Sequence, residues 1–349
     1  MQQRTKSAAV AGTIAIGFVI GIVPTAPSAL ARVEKTCTMT ADTLFEACKA
    51  GRTDDGLVQK AICFNIADDV KRQTCLEQVK LDRTDAKQSC SDLHEGRLAA
   101  CTLLGEAPYD PNFDPALFDD PKNPSHPNPY FPMTVHDKWE YQGNGEVNTV
   151  EVLDDTKLIA GVTCAVFDDE VFTSGNLTEK TNDWFCQQKS GDVNYFGEET
   201  AVFETFPGDM PPLPELVSIE GSFKQGRGGD KGGLIFPATP TVGFSFLEEF
   251  SLDNAEDVTT ILSTTYKFGS DPTLDQAVPQ ALAETYCSAG DCVVTKNFSL
   301  LEPPDVFARK YYAKGVGVIL EVEIDPEEPA PVISQLTACN FDPRCPPIP

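Results

Sequence analysis

The chain has 349 residues, with 53 acidic against 27 basic side chains, a formal charge of −26, 12 cysteines and three histidines. That acid excess argues against nucleic acid or an anionic membrane as a partner, because both reward basic patches. The length is ample for a sizeable core, one main domain plus a smaller unit.

Residues 1–31 read as a secretory signal: Arg4 and Lys6 precede an apolar run from Ala8 to Val23, and Ala29-Leu30-Ala31 forms a small-x-small cleavage site. The apolar run falls short of the roughly 20 residues of a membrane span, and no later stretch is long enough to make one. An even number of cysteines suits an oxidising compartment, so the expected location is secreted or periplasmic.

Residues 32–105 carry six of the cysteines. The steps between Cys37, Cys48, Cys63, Cys75, Cys90 and Cys101 are 11, 15, 12, 15 and 11 residues, a series that reads the same backwards. Two antiparallel helices joined by disulfide rungs require such a palindrome. At 1.5 Å rise per residue the outer steps are about 16 and 22 Å, close to whole numbers of turns, so the sulfurs of one helix share a face. The pairs expected are Cys37–Cys101, Cys48–Cys90 and Cys63–Cys75, against a small helical bundle with another pairing. A metal site is disfavoured because there is no CxxC pair. The first helix covers Ala41–Ala67, with Gly51 and Gly56 as interruptions. Asp68 caps the second, which runs to about Leu104 and stops at Gly105.

Residues 106–132 hold eight prolines from Pro108 to Pro132, interspersed with Asp110, Asp114, Asp119 and Asp120. Proline fixes φ and removes a donor, so the segment reads as an extended linker outside the core. Its aspartates leave Ca²⁺ open as a ligand, although the spacing of an EF-hand is absent. No other cofactor is indicated, and no metal-ligand set.

From residue 133 to 325 the apolar pattern alternates with period two, in some ten to twelve segments separated by turn residues. They start at Lys138–Tyr141 and end at Gly317–Ile324, and Glu284–Cys287 is taken as one of them. Gly226–Gly233 is read as a long mobile loop. Cys164 and Cys186 lie eleven residues either side of Gly175 and should face each other across a hairpin. Cys287 and Cys292 close a hairpin tip, and residues 326–349 form a proline-rich tail with a Cys339–Cys345 clip. The fold class expected is α+β: a disulfide-laddered antiparallel helical hairpin followed by a mainly antiparallel curved β-sheet, either a sandwich or a partly open barrel.

The run Asn128-Pro129-Tyr130-Phe131-Pro132 before Trp139-Glu140-Tyr141, the six-cysteine hairpin, and Tyr311-Tyr312-Ala313-Lys314-Gly315-Val316-Gly317 together resemble a group of exported bacterial proteins of unknown function. The resemblance spans most of Cys37–Ile324. It implies a curved antiparallel sheet and brings no catalytic residues with it.

Motifs for chemistry are lacking. There is no HExxH, GxSxG or GxxxxGK[ST], and His94, His126 and His136 have no catalytic setting in the sequence. Adjacent acids such as Asp168-Asp169, Glu248-Glu249 and Glu256-Asp257 are weak candidates for a dyad, since strand neighbours point to opposite faces. Trp139, Tyr141, Trp184, Tyr195, Tyr311 and Tyr312 lie in or beside expected strands and are the candidate ligand-binding residues. Two readings follow. One is a non-enzymatic exported binding or scaffold protein whose sheet holds an apolar small molecule or a protein partner. The other is a carboxylate-dependent hydrolase or calcium-stabilised exported protein. Two carboxylates facing a cleft would favour the enzyme, and an open apolar pocket would favour binding.

Overall fold

The computed structural model describes residues 35–348, so the expected signal segment lies outside the described residues. Two long helices come first, α1 (Thr36–Phe64) and α2 (Asp69–Leu104). Asp68 caps α2 by accepting a hydrogen bond from the Lys71 backbone N–H at 2.9 Å, and Gly105 ends it at φ 91°, where a side chain would be strained. The three rungs join the pairs the spacing predicts, with Cα–Cα distances of 5.6 Å for Cys37–Cys101, 5.8 Å for Cys48–Cys90 and 5.6 Å for Cys63–Cys75. Gly51 and Gly56 do not break α1, which is continuous across both. Glycine costs an exposed helix only about 1 kcal/mol, less than the rungs supply. At Gly56 it admits a neighbour: a Cβ there would lie 3.1 Å from Arg83 Cδ.

Within α1 only Ala41 and Cys63 are buried, whereas α2 buries Leu93, Gly96, Arg97, Ala100 and Cys101 near its C-terminal end. The hairpin is thus anchored at its base. Its far end leaves Leu57, Val58, Ile62, Phe64 and Val70 exposed.

Fifteen strands are present among the described residues. In chain order they are β1 (Lys138–Gly143), β2 (Glu146–Ile159), β3 (Val162–Thr173), β4 (Asn176–Gln187), β5 (Val193–Glu204), β6 (Glu215–Ser218), β7 (Phe223–Lys224), β8 (Lys231–Phe236), β9 (Ser245–Leu247), β10 (Glu249–Phe250), β11 (Asp257–Tyr266), β12 (Cys292–Ser299), β13 (Phe307–Ala313), β14 (Gly317–Ile324) and β15 (Val332–Cys339). A short helix, α3 (Gln280–Cys287), precedes β12. The antiparallel ladder runs β8-β5-β4-β3-β2-β1-β15-β14-β13-β12-β11. Residues 245–250 nearly close this ladder, because β9 pairs with β11 at one end and β10 pairs with β8 at the other. The result is a nearly closed, barrel-shaped sheet, which manages its edges by curling back on itself.

Four sequence expectations are corrected here. The sheet does not end at Ile324. Residues 332–339 form β15, which pairs with β1 on one side and β14 on the other; Pro326, Pro329 and Pro331 precede the strand and leave its ladder intact. Glu284–Cys287 is the end of α3 and not a strand, as Pro279 before Gln280-Ala281-Leu282-Ala283-Glu284 is a helix start followed by strong helix formers. Cys287–Cys292 therefore links α3 to β12. Only part of Gly226–Gly233 is a loop: Gly232 and Gly233 lie buried in β8, and a Cβ on Gly233 would lie 2.3 Å from the Leu247 carbonyl oxygen. Those glycines are where β8 passes close to residues 247–248.

The proline-rich segment is strapped along the barrel and contributes to its packing. Phe118 is buried against Phe196, with ring centroids 5.4 Å apart, and Phe113 packs at a tilt on the same ring at 4.6 Å. Asp114, Asp119 and Asp120 accept hydrogen bonds from Ala116, Ser125 and Lys122 within their own loop, the turn-capping role typical of aspartate. Cys164–Cys186 joins β3 to β4, with Cα atoms 4.3 Å apart, and Cys339–Cys345 closes the C-terminal clip.

Candidate functional site

The barrel holds a partly open cavity of about 440 Å³. Because side chains alternate along a strand, every second residue of each wall strand points inward. The apolar lining comes from Trp139 and Tyr141 of β1, Phe167 of β3, Phe185 of β4, Tyr312 of β13 and Val318 of β14. The rings interlock: Phe167 and Phe185 are 4.9 Å apart edge to face, and Trp139 stacks on Phe167 at 6.2 Å. A buried indole or phenol needs a partner for its polar end. Trp139 donates Nε1–H to the Val316 carbonyl at 2.8 Å, and Tyr141 donates its hydroxyl to the Val318 carbonyl at 3.0 Å. Both are thereby pinned, Trp139 to the turn before β14 and Tyr141 to β14 itself, on the cavity lining.

The lining also carries charge, on two opposite arcs of the ring. On the β3–β4 arc, Asp169 and Asp183 both face inward. In the ladder Phe167 pairs with Asp183 and Asp169 with Thr181, so the two aspartates are diagonal neighbours on one wall. Asp183 pairs in turn with Glu198 of β5. The Tyr195 hydroxyl lies within hydrogen-bond reach of both, 2.6 Å from Glu198 and closer still to Asp183. One phenol has one proton to donate. The second short contact therefore needs a proton on a carboxyl group, and burial supplies the reason: it holds both Asp183 and Glu198 above the ordinary carboxylate range, with the Asp169 charge adding to the effect on Asp183. Asp169 is pushed up to about 7 by burial, against the opposing hydrogen bond from Asn148 at 2.7 Å.

On the β13–β14 arc, Lys310 and Glu321 are ladder partners and both line the cavity. The Glu321 charge holds the Lys310 ammonium above its usual range in spite of burial. Nearby, Glu248 accepts from Thr259 and, at 2.8 Å, from Asn297; burial pushes it up to about 7, with Lys310 opposing.

These raised carboxyls set a pH dependence. The folded protein binds protons at Asp169 and Glu248 that the unfolded chain has lost by about pH 4. Their contribution is therefore complete below that value and disappears as pH rises through about 7. Asp169→Asn should be close to parent stability near pH 4 and gain on the parent by up to about 1.4 kcal/mol per pH unit toward 7. Thermal melts at pH 5 and 8 check this, and parallel curves for the two proteins would refute it.

The six sequence candidates separate into three groups. Trp139, Tyr141 and Tyr312 line the cavity. Tyr195, the ladder partner of Phe185, shares its inward face beside the lining, stacked on it at 4.8 Å and engaged with the carboxyls. Trp184 and Tyr311 face away from it: Trp184 packs with Cys164, Cys186 and Phe196 under Lys157, and Tyr311 packs on Tyr266 at 5.2 Å. Sequence reasoning missed Phe167, Phe185, Asp183, Lys310 and Glu321. Two-residue spacing along one face (167/169, 183/185, 310/312) was the available signal.

No family profile matches the chain, and no curated protein matches it. Two solved structures do. One, provisionally named an exported protein with a YmcC-like fold, comes from Bacteroides fragilis NCTC 9343; it shares 9% identity at a TM-score of 0.30, covering 59% of this chain and 96% of that one. The other, provisionally named a lipoprotein, comes from Parabacteroides distasonis ATCC 8503; it shares 13% identity at a TM-score of 0.27, covering 60% and 97%. Six disulfides, with no free cysteine among the described residues, fit a secreted or periplasmic protein.

Proposed function

We propose that this is an exported binding protein whose barrel holds an apolar small molecule. The observation that carries the reading is the aromatic-walled cavity of about 440 Å³ inside a nearly closed sheet. Pockets of some 300–1,000 Å³ with mainly apolar walls and a few placed polar groups are the usual form of small-molecule sites. The neutral fluorophore N-phenyl-1-naphthylamine should bind the native protein and take up energy from Trp139. Filling the cavity with Val150→Trp should weaken that binding at least tenfold. Equal affinity in the two proteins would place the probe elsewhere and remove the support for this reading.

One observation favours a second reading, carboxylate-dependent hydrolysis. Asp169 and Asp183 share a wall of the cavity and are both held above the ordinary carboxylate range by burial, the condition of a general acid working near neutrality. Hydrolysis of a chromogenic ester or glycoside, abolished by Asp183→Asn while the fluorophore still binds, would establish it.

A further inference from the structure

Several polar groups in and around the cavity are engaged within the protein, whereas Asn148 Oδ1 is buried without a partner. Asp183 and Glu198 share the Tyr195 hydroxyl, Asp169 holds Asn148, Glu248 holds Asn297 and Thr259, and the Trp139 and Tyr141 donors end on carbonyls. The Lys310 ammonium lines the cavity and has neither a hydrogen bond nor an ion pair among the described residues. Glu321, opposite it in the ladder, likewise has none. With the Glu321 charge nearby and its amino group on the cavity lining, Lys310 keeps donors free for an acceptor that enters the space.

Resting on the binding reading above, we infer that Lys310 is the head-group site of the cavity and that the ligand is a long-chain carboxylic acid bound as its monoanion. Three features select this class. The position offers a single cation, a compact three-donor point charge that one carboxylate can satisfy. Phosphate or sulfate heads carry more acceptor oxygens and, for a phosphomonoester, a second charge; they would draw on several donors or an Arg fork, and no second cation lines the cavity. Glu321, whose charge already supports the ammonium, and Glu146 and Glu323 of the same lining disfavour a second negative charge on the ligand. The chain of the acid then runs from the β13–β14 arc toward the rings of Phe167, Phe185 and Trp139 across the barrel, and its burial supplies the affinity at about 0.8 kcal/mol per CH₂.

The test uses displacement of N-phenyl-1-naphthylamine from the full-length protein by hexadecanoic acid and by its methyl ester. The acid should displace the probe at concentrations at least tenfold below the ester. Lys310→Met should reduce that preference below threefold. Glu321→Gln, which removes the repelling charge and keeps Lys310, should enlarge the preference. Equal displacement by acid and ester with the probe still bound would overturn the head-group assignment and leave the binding reading standing. A tenfold preference retained in Lys310→Met, or a preference unchanged or reduced in Glu321→Gln, would also overturn it. Failure of the probe to bind the parent protein would fall on the binding reading itself, and the assignment would fall with it.

Discussion

A chain ending at Asp325 is expected to lose its barrel. Strand β15 is held on both sides, by β1 through Trp139–Cys339 and Tyr141–Leu336 and by β14 through Leu320–Gln335 and Val322–Ile333. Without it those two strands face each other across an unfilled gap, each with an open ladder edge. Leu336, Ala338 and Cys339 leave the core, and so does the cover they give Trp139 and Leu320. Deleting one buried Leu side chain costs about 2–5 kcal/mol, and whole domains are stable by only about 5–15 kcal/mol. The truncated protein should melt without a cooperative transition and lose near-ultraviolet dichroism while the helical signal of the disulfide hairpin persists. A cooperative melt within a few degrees of the parent would contradict this. Leu336→Ala in the full chain is the graded version, with an expected loss of about 2–5 kcal/mol in urea unfolding.

The second large effect lies where the hairpin meets the barrel. Arg97 of α2 is 3% exposed and Glu256, just before β11, is 2% exposed, and the guanidinium donates to Glu256 Oε1 at 2.8 Å. The same carboxylate oxygen accepts from the Asp253 backbone N–H at 2.7 Å. The pair sits among Ala100, Leu247, Leu252 and Leu300, with Asp253 Oδ1 3.7 Å from the guanidinium. Removing one member of such a pair costs about 3–5 kcal/mol, because the other charge stays buried and uncompensated. Arg97→Met should lose that much. Arg97→Met with Glu256→Leu should recover a large part of it, since a buried ion pair replaced by apolar groups of similar size is often neutral. Urea unfolding of the parent, the two single variants and the double variant decides the matter. Additive losses in the double variant would show that the residues act independently.

The hairpin was legible in the sequence because its information is one-dimensional: rise per residue and cysteine spacing together fix the rungs. The compartment was legible for a related reason, since cysteine usage reports redox conditions directly. Strand β15 escaped because Val332–Cys339 follows directly on Pro326, Pro329 and Pro331, and only its two neighbours make it a wall strand. The cavity escaped in the same way. Trp139 and Trp184 look equivalent in a sequence, both aromatic and both in alternating runs, and parity within the ladder sends one into the cavity and the other away from it. Asp169 and Asp183 are fourteen positions apart, and only the register of β3 on β4 places them on one wall. Adjacency in the chain draws attention to Asp168-Asp169 instead, where Asp168 faces Lys180 at 2.9 Å.

The disulfide pairing has a temporal reading. As the chain is delivered from its N-terminus, cysteines 37, 48 and 63 arrive unpaired; Cys75 then takes the latest of them, Cys90 takes the next, and Cys101 takes the first. The remaining bonds, 164 to 186, 287 to 292 and 339 to 345, each open and close before the following one begins. All six bonds thus obey a last-in, first-out rule, in which each closing cysteine joins the most recently exposed thiol still free. The three early thiols must not join one another first, and α1 prevents it: eleven and fifteen helical residues hold their sulfurs about 16 and 22 Å apart, beyond the reach of an S–S bond. Oxidation can therefore follow delivery step by step, and no thiol has to be released from one partner in order to find another.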